Sequence, residues 1–174
     1  MKKTRYYSYI DFTFRRTFII LLIASLYAYA FAYLIPFDHS LAANRDNYIN
    51  YTLNSINIFN DIKNYLQFFS NEPLFLIINI FLIKFFESKT VVSSIIFFSS
   101  FITSFLVLKY NQRHFLILLV ILFFPPVFIK FTAHLRQGLA ISFFLLGWFS
   151  KSKYWQWFFF IVAPLVHSSF FFLF

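Results

Sequence analysis

Polar and ionisable side chains interrupt an otherwise apolar sequence in three places, and these residues are the candidates for chemistry. A charge at membrane depth costs roughly 2.5–3.5 kcal/mol on insertion scales, so each such residue is a hypothesis of function. The places are Asn44-Arg45-Asp46-Asn47-Tyr48 with Asn71-Glu72-Pro73, then Ala133-His134-Leu135-Arg136-Gln137-Gly138-Leu139-Ala140, and finally His167-Ser168-Ser169.

The segment around Arg136 has the most specific pattern. One helical face would carry Ala133, Arg136, Gln137 and Ala140, so small residues flank a guanidinium and an amide. Such a face lets a ligand approach Arg136, whose planar fork of donors suits phosphate or carboxylate, and helix N-terminal N–H groups favour the same anions. The alternative is an interfacial arginine that extends to lipid headgroups.

The other two places have two interpretations each. His167, with Ser168 beside it, is either a structural histidine bonded to a neighbouring helix or a base facing a polar cavity. The earlier segments place charge beside aromatic residues, and the alternative for them is a solvated loop. Their candidate residues are Arg45, Asp46, Tyr48 and Glu72.

Metal, cofactor and hydrolase chemistry is poorly supported. No histidine lies three or four residues from another histidine or from a carboxylate, which is the spacing that places two metal ligands on one helical face, and the chain has no cysteine. Two glycines are too few for a phosphate-cradling loop, and no serine lies in a nucleophile-elbow context. We therefore predict neither a metal nor a cofactor.

The composition is that of a membrane protein. Apolar residues make up 60% and charged residues 12% of the 174, whereas soluble chains average about 45–50% and about 25%. The net charge of +9 lies in short basic clusters between apolar runs, which is how membrane proteins fix orientation. It is not gathered on one surface, so we expect membrane lipid and no nucleic acid as a partner.

The apolar runs predict an all-α fold, a polytopic integral membrane helix bundle with five or six spans. Residues 1–16 form a cytoplasmic basic leader, 17–35 a first transmembrane helix and 36–72 an external polar loop. Residues 73–174 form the remaining helical region, with spans at 91–108, 115–131, 133–149 and 154–174. Pro125-Pro126 should kink the run 115–131. A cleaved signal peptide at Ala28-Tyr29-Ala30 is the alternative for the first helix.

Residues 73–86 are too short for an easy crossing, so we predict a re-entrant helix there, with full crossing as the alternative. Re-entry places the clusters 109–113 and 151–153 on the cytoplasmic side with the N-terminus, and Glu72 and residues 130–137 at the external face. The chain also ends on Phe170-Phe171-Phe172-Leu173-Phe174 without a polar tail, so we expect the natural protein to continue.

The order of these motifs resembles the EpsG / Wzy-type polysaccharide polymerase family. The resemblance covers about residues 44–174: Asn-Arg-Asp-Asn-Tyr, then Glu-Pro-Leu-Phe, then His-Leu-Arg-Gln-Gly-Leu-Ala, a lysine-rich turn and His-Ser-Ser-Phe. The most specific part is Arg-Gln-Gly-Leu-Ala followed about thirty residues later by His-x-Ser.

The resemblance implies a multi-pass enzyme of the bacterial inner membrane. It would join undecaprenyl-diphosphate-linked oligosaccharide units into O-antigen of lipopolysaccharide, capsule or exopolysaccharide, with a chain-length regulator and a flippase as partners. Arg136 and Arg45 suit the diphosphate and an acid or histidine suits the sugar hydroxyl. The candidate catalytic residues are Asp46, Glu72 and His167, and the candidate substrate-binding residues are Arg45, Tyr48, His134, Arg136, Gln137 and Ser168.

Three other functions stay open at this stage. They are a flippase or transporter of the same lipid-linked sugar, a membrane acyltransferase or other glycosyltransferase, and a non-catalytic membrane scaffold.

Overall fold

The structure, a computed structural model, describes residues 2–35 and 44–173. The predicted external loop therefore lies partly outside the described residues, at 36–43, as do Met1 and Phe174. The helices are α1 Lys2–Tyr29, α2 Arg45–Leu53, α3 Ser55–Asn60, α4 Tyr65–Ser70, α5 Pro73–Ile83, α6 Ser88–Tyr110, α7 Phe115–Leu122, α8 Pro125–Thr132, α9 Leu135–Trp148 and α10 Lys153–Val166. A π-helical turn, Ala30–Leu34, extends α1, and 3-10 turns cover Gln112–His114 and Ser168–Leu173.

Every regular element of the described ranges is helical, which confirms the all-α prediction. Residues 44–72, predicted as a loop, are instead mostly the short helices α2, α3 and α4. Their asparagines explain the difference, since asparagines at 54, 64 and 71 end or begin these helices as caps.

Two described helices, Arg15–Leu34 and Ser88–Tyr110, are long and apolar enough to cross a membrane. Gln112–Leu122 with Pro125–Thr132 would make a third if that bent pair is one span. The predicted five or six spans are thus not confirmed. Helices α9 and α10 have 14 residues each, or about 21 Å, which is shorter than a hydrocarbon core of about 30 Å.

The predicted proline break lies between α7 and α8. The two helices meet at 71°, and Phe124 is extended, as the residue before a proline prefers to be. Pro126 has no N–H to donate to the Leu122 carbonyl four residues earlier. The Tyr27 hydroxyl donates to that carbonyl instead, at 2.7 Å, which joins α1 to the bend.

Helix α10 also ends earlier than its apolar run. Pro164 lies inside its last turn, the helix stops at Val166, and His167 has extended backbone at φ −150° and ψ 120°. The predicted span 154–174 is therefore divided into a helix and a 3-10 turn, with His167 at the division.

Helix α6 forms the centre of the bundle, between α1 and α9. Its buried Ser99, Ser100 and Ser104 donate their hydroxyls to carbonyls of the preceding turn of the same helix. These small side chains need no partner on another helix, so neighbouring helices can approach α6 closely.

The basic clusters lie together at one end of the bundle. The Arg16 guanidinium donates to the Gln112 carbonyl at 3.4 Å, and the Tyr110 ring stacks on Phe149 with centroids 4.4 Å apart. The start of the first candidate span, the 109–113 cluster and the 151–153 turn are thus neighbours. At the other end, Leu53 and the residues that join α5 to α6 line one shallow groove.

This arrangement predicts the side from which each end is labelled in membranes. The protein has no cysteine, so Arg113→Cys, Lys151→Cys and Asn64→Cys each supply one exposed thiol. We expect a membrane-impermeant maleimide added to intact cells to label position 64 alone, and permeabilised cells to be labelled at all three positions. External labelling at 113 would contradict the shared cytoplasmic end and favour full crossing by α5.

Candidate functional site

Glu72, Arg136 and His167 form one ionic cluster at the end of the bundle opposite the basic clusters. Nη1 of Arg136 donates to Oε2 of Glu72 at 2.8 Å, and Nδ1 of His167 contacts Oε1 of the same carboxylate. Glu72 is 5% exposed, whereas the Arg136 and His167 side chains are 31% and 19% exposed. We call these residues the Glu72 cluster; its carboxylate is buried and its two partners reach the surface.

Each member of the Glu72 cluster lies at a helix end. Glu72 precedes α5, Arg136 is the second residue of α9, and His167 follows α10. Glu72 has φ 54° and ψ 67° and is the non-glycine residue with positive φ in the described ranges. This left-handed backbone costs roughly 1–2 kcal/mol, so the contacts of its side chain must hold it.

Three aromatic rings surround the Arg136 guanidinium. Its Cζ lies 4.6 Å from the ring centroid of Tyr51, 5.3 Å from that of Phe75 and 5.9 Å from that of Tyr48. Cation–π attraction of about 0.5–2 kcal/mol adds to the ion pair and fixes the plane of the guanidinium. Arg136 is therefore held on two sides, by a carboxylate and by rings.

Tyr48 and Tyr51 remain neutral at physiological pH. Burial raises the pKa of both phenols above the ordinary value, and the positive charge of Arg136 offsets only part of that rise. The Tyr48 hydroxyl also lies beside the backbone N–H groups of Leu135 and Arg136, which favour its ionised form. Both N–H groups belong to the first turn of α9, whose donors have no intrahelical acceptor.

Arg45 lies away from the Glu72 cluster and is fully buried. Its Nη1 donates to the Ile35 carbonyl at 2.9 Å and its Nη2 to the Phe31 carbonyl at 2.5 Å. These carbonyls end the first helix, where a cation is favourable to the helix dipole. Burial lowers the pKa of Arg45 to about 10, so it stays charged at pH 7.

The neighbouring Asn44 joins the same region to the end of α8, because its Nδ2 donates to the Ala133 carbonyl at 3.3 Å. Asn44 and Arg45 together fasten the N-terminus of α2 to two other helix ends. Arg45, predicted to bind substrate, makes contacts that fit a structural role, and α2 carries Tyr48 and Tyr51 to Arg136.

The remaining predicted residues are spread around the cluster. Gln137 accepts a hydrogen bond from Nζ of Lys130 at 2.8 Å. His134 is half-buried just before α9, and its carbonyl accepts from the Gly138 N–H at 3.0 Å. Asp46 and Ser168 are exposed, and the structure brings neither into hydrogen bonding with the Glu72 cluster.

Tyr51, Phe75 and Lys130 are contact residues that were not among the candidates predicted from the sequence. Tyr51 lies three residues after Tyr48 on one helical face, and that spacing was a usable signal. Phe75 could not be distinguished among 31 phenylalanines. Lys130 is separated by seven residues from the amide that it contacts, across a helix break.

The cluster has the geometry of an oriented base. With Glu72 ionised, Nδ1 of His167 carries the proton that faces the carboxylate, and Nε2 is then an acceptor. The carboxylate fixes the tautomer and the orientation of the ring, as the buried aspartate does for the histidine of a serine-protease triad. No group of three or more histidine or acidic side chains in the described ranges could hold a metal ion.

A second surface lies on α3 and α4. A groove of about 620 Å³ there is lined by Phe59, Ile62, Lys63, Asn64, Tyr65, Phe68 and Phe69. Exposed rings beside an amide and an ammonium offer both stacking and hydrogen bonding.

The contacts of Arg45 predict a loss of stability when it is replaced. Hydrogen bonds to charged groups contribute roughly 1.5–3 kcal/mol each, so Arg45→Ala should lower the free energy of unfolding by about 3 kcal/mol or more. Chemical unfolding in detergent measures this, with the exposed neighbour Asp46→Asn as the control that stays near wild type. Wild-type stability in Arg45→Ala together with weakened substrate binding would instead support the predicted substrate-binding role.

Comparison with known proteins identifies the family. No curated protein and no solved structure matches the chain. The sequence model of the EpsG family matches residues 45–174, which include α2 to α10 and all three members of the Glu72 cluster. The match extends over most of the chain and agrees with the resemblance drawn from the motifs, so the protein belongs to the EpsG family.

Proposed function

We propose that this protein is a membrane glycosyltransferase that polymerises lipid-linked oligosaccharide units into a surface polysaccharide. The observation that carries the proposal is the Glu72 cluster, a buried carboxylate that orients one histidine and one arginine within an EpsG-family chain. The family is associated with membranes and polysaccharide biosynthesis. The donor would be an undecaprenyl-diphosphate-linked chain, and the acceptor a sugar hydroxyl of the next unit.

His167 is the proposed general base. Its Nε2 accepts the proton of the acceptor hydroxyl while that oxygen bonds to the anomeric carbon of the donor. The bond from the anomeric carbon to the diphosphate breaks, and the leaving lipid diphosphate keeps the electron pair. Glu72 holds the imidazole and stabilises its protonated form.

Arg136 is the proposed donor to the diphosphate. Within the described residues only its Nη1 donates to Glu72, so Nη2 remains for a phosphate oxygen. The aromatic rings already hold the guanidinium in one orientation, so binding of the lipid-linked substrate does not have to order this side chain.

The orientation of the bundle supports chemistry at the outer face of the inner membrane. The basic clusters share one end, and the positive-inside rule assigns that end to the cytoplasm. The Glu72 cluster then lies on the external side, with α2, α3 and α4. The aromatic groove on α3 and α4 would contact the oligosaccharide, and a flippase and a chain-length regulator would be the partners.

The size of the surface glycan tests this function. In a strain deleted for the gene, we expect the long ladder to collapse to one repeat unit and wild type to restore it. Arg136→Lys keeps the charge but loses the fork, and His167→Gln loses the base, so each should reduce polymerisation by about 100-fold or more. Glu72→Gln should do the same because it removes the charge that both partners face.

The control is Lys151→Ala, an exposed lysine of the cytoplasmic turn, with equal membrane abundance verified for every variant. A complete absence of repeat units in the deletion strain would favour a flippase or an earlier step. An unchanged ladder in His167→Gln and Arg136→Lys would contradict the assigned roles.

We also propose that transfer is independent of metal, because the diphosphate leaves as an anion that cationic side chains can neutralise. Polymerisation in membrane vesicles should therefore proceed at the same rate in excess EDTA as in buffer. Activity that EDTA abolishes and Mg²⁺ or Mn²⁺ restores would contradict this part of the proposal.

A further inference from the structure

Lys130 is a cation that the Glu72 cluster does not use. It is half-buried near the end of α8, and its Nζ donates to Oε1 of Gln137 at 2.8 Å. Among the side chains that the structure describes, those of residues 15–35, 44–65 and 67–171, no carboxylate lies within 4.0 Å of this ammonium. An amide orients an ammonium but does not neutralise it.

Arg136 and Lys130 differ in how their positive charges are balanced. The positive charge of Arg136 is compensated by Glu72, and the same carboxylate contacts His167. An anion that approaches Arg136 alone therefore also meets the Glu72 carboxylate. Lys130 is bonded instead to the amide of Gln137, the residue that follows Arg136 in α9, and an amide leaves its positive charge uncompensated.

The backbone fixes where Lys130 lies. A Cβ on Gly138 would lie only 2.6 Å from the Lys130 carbonyl, so α8 and α9 approach there as closely as a glycine permits. The Ile129 carbonyl accepts from the N–H groups of Ala133 and His134, which sets the turn between the helices. Lys130 is thus held against the first turn of α9 at two points, by its own carbonyl next to Gly138 and by its ammonium on Gln137.

We propose that Lys130, held by Gln137, binds the diphosphate group of the lipid-linked substrate. This inference rests on the proposed function and adds to it the residue that supplies the net attraction for the anion. Arg136 provides directed donors, and Lys130 provides the charge that Glu72 removes from Arg136.

Binding measurements on the purified protein test the proposal. The protein is placed in nanodiscs of phosphatidylcholine, and the binding of undecaprenyl diphosphate and of undecaprenyl monophosphate is measured by isothermal titration calorimetry. Lys130→Met removes the charge at similar length, Lys130→Arg retains it, and Lys151→Met is the matched control at an exposed lysine. We expect Lys130→Met to bind the diphosphate at least about tenfold more weakly than wild type does, and we expect a smaller loss of affinity for the monophosphate.

Lys130→Arg should stay within about threefold of wild type, and Lys151→Met should be unchanged. Wild-type affinity for the diphosphate in Lys130→Met overturns the proposal. Competition by phosphatidylglycerol or by inorganic pyrophosphate at the same concentration as the prenyl diphosphate also overturns it, because the site would then recognise any headgroup or free anion.

The proposed function can fail separately. An unaltered glycan ladder in the deletion strain rejects the polymerase, whereas the binding series still decides whether Lys130 holds a lipid diphosphate. Conversely, unchanged binding in Lys130→Met with a collapsed ladder in His167→Gln rejects only the role of Lys130.

Discussion

The buried Glu72 carboxylate is the constraint on which the site depends. A carboxylate that is 5% exposed in apolar surroundings is stable in its charged form only with a partner. Arg136 supplies that partner at 2.8 Å and His167 contacts the second oxygen. The three residues come from parts of the chain up to 95 positions apart, so the helices α5, α9 and α10 must meet at their ends.

Prolines place those ends. Pro73 directly follows Glu72, Pro164 lies three residues before His167, and Pro125-Pro126 bend the chain 71° shortly before Arg136. Each proline removes a backbone donor and favours a break in the helix. Helix ends expose unpaired backbone groups, and Asn44 and Arg45 donate to such carbonyls at the end of α8 and at the end of the first helix. The breaks that assemble the site thus also create the contacts that hold its surroundings.

The sequence singled out the members of the Glu72 cluster but not their arrangement. Glu72, Arg136 and His167 were each recognisable because an ionisable side chain stands out in an apolar run, but their pairing needed the fold. Arg45 stood out for the same reason and instead caps the first helix, since local sequence does not tell which carbonyls a guanidinium will reach. The apolar runs likewise predicted spans at 133–149 and 154–174, whereas α9 and α10 have only 14 residues each. Apolar residues continue on both sides of His167, so hydropathy alone does not show that α10 ends there.

Charge balance explains how such a site can exist beside a membrane. Glu72 and Arg136 cancel each other, so the cluster needs no ligand to remain folded among apolar helices, and the rings of Tyr51 and Phe75 cover one side of the guanidinium. A fully neutral site would attract an anionic substrate weakly. Lys130 lies outside the balanced pair, at a bend fixed by close packing of α8 on α9, where an amide orients it without neutralising it. The proposal thus assigns stability and attraction to different cations, and substituting one need not abolish the contribution of the other.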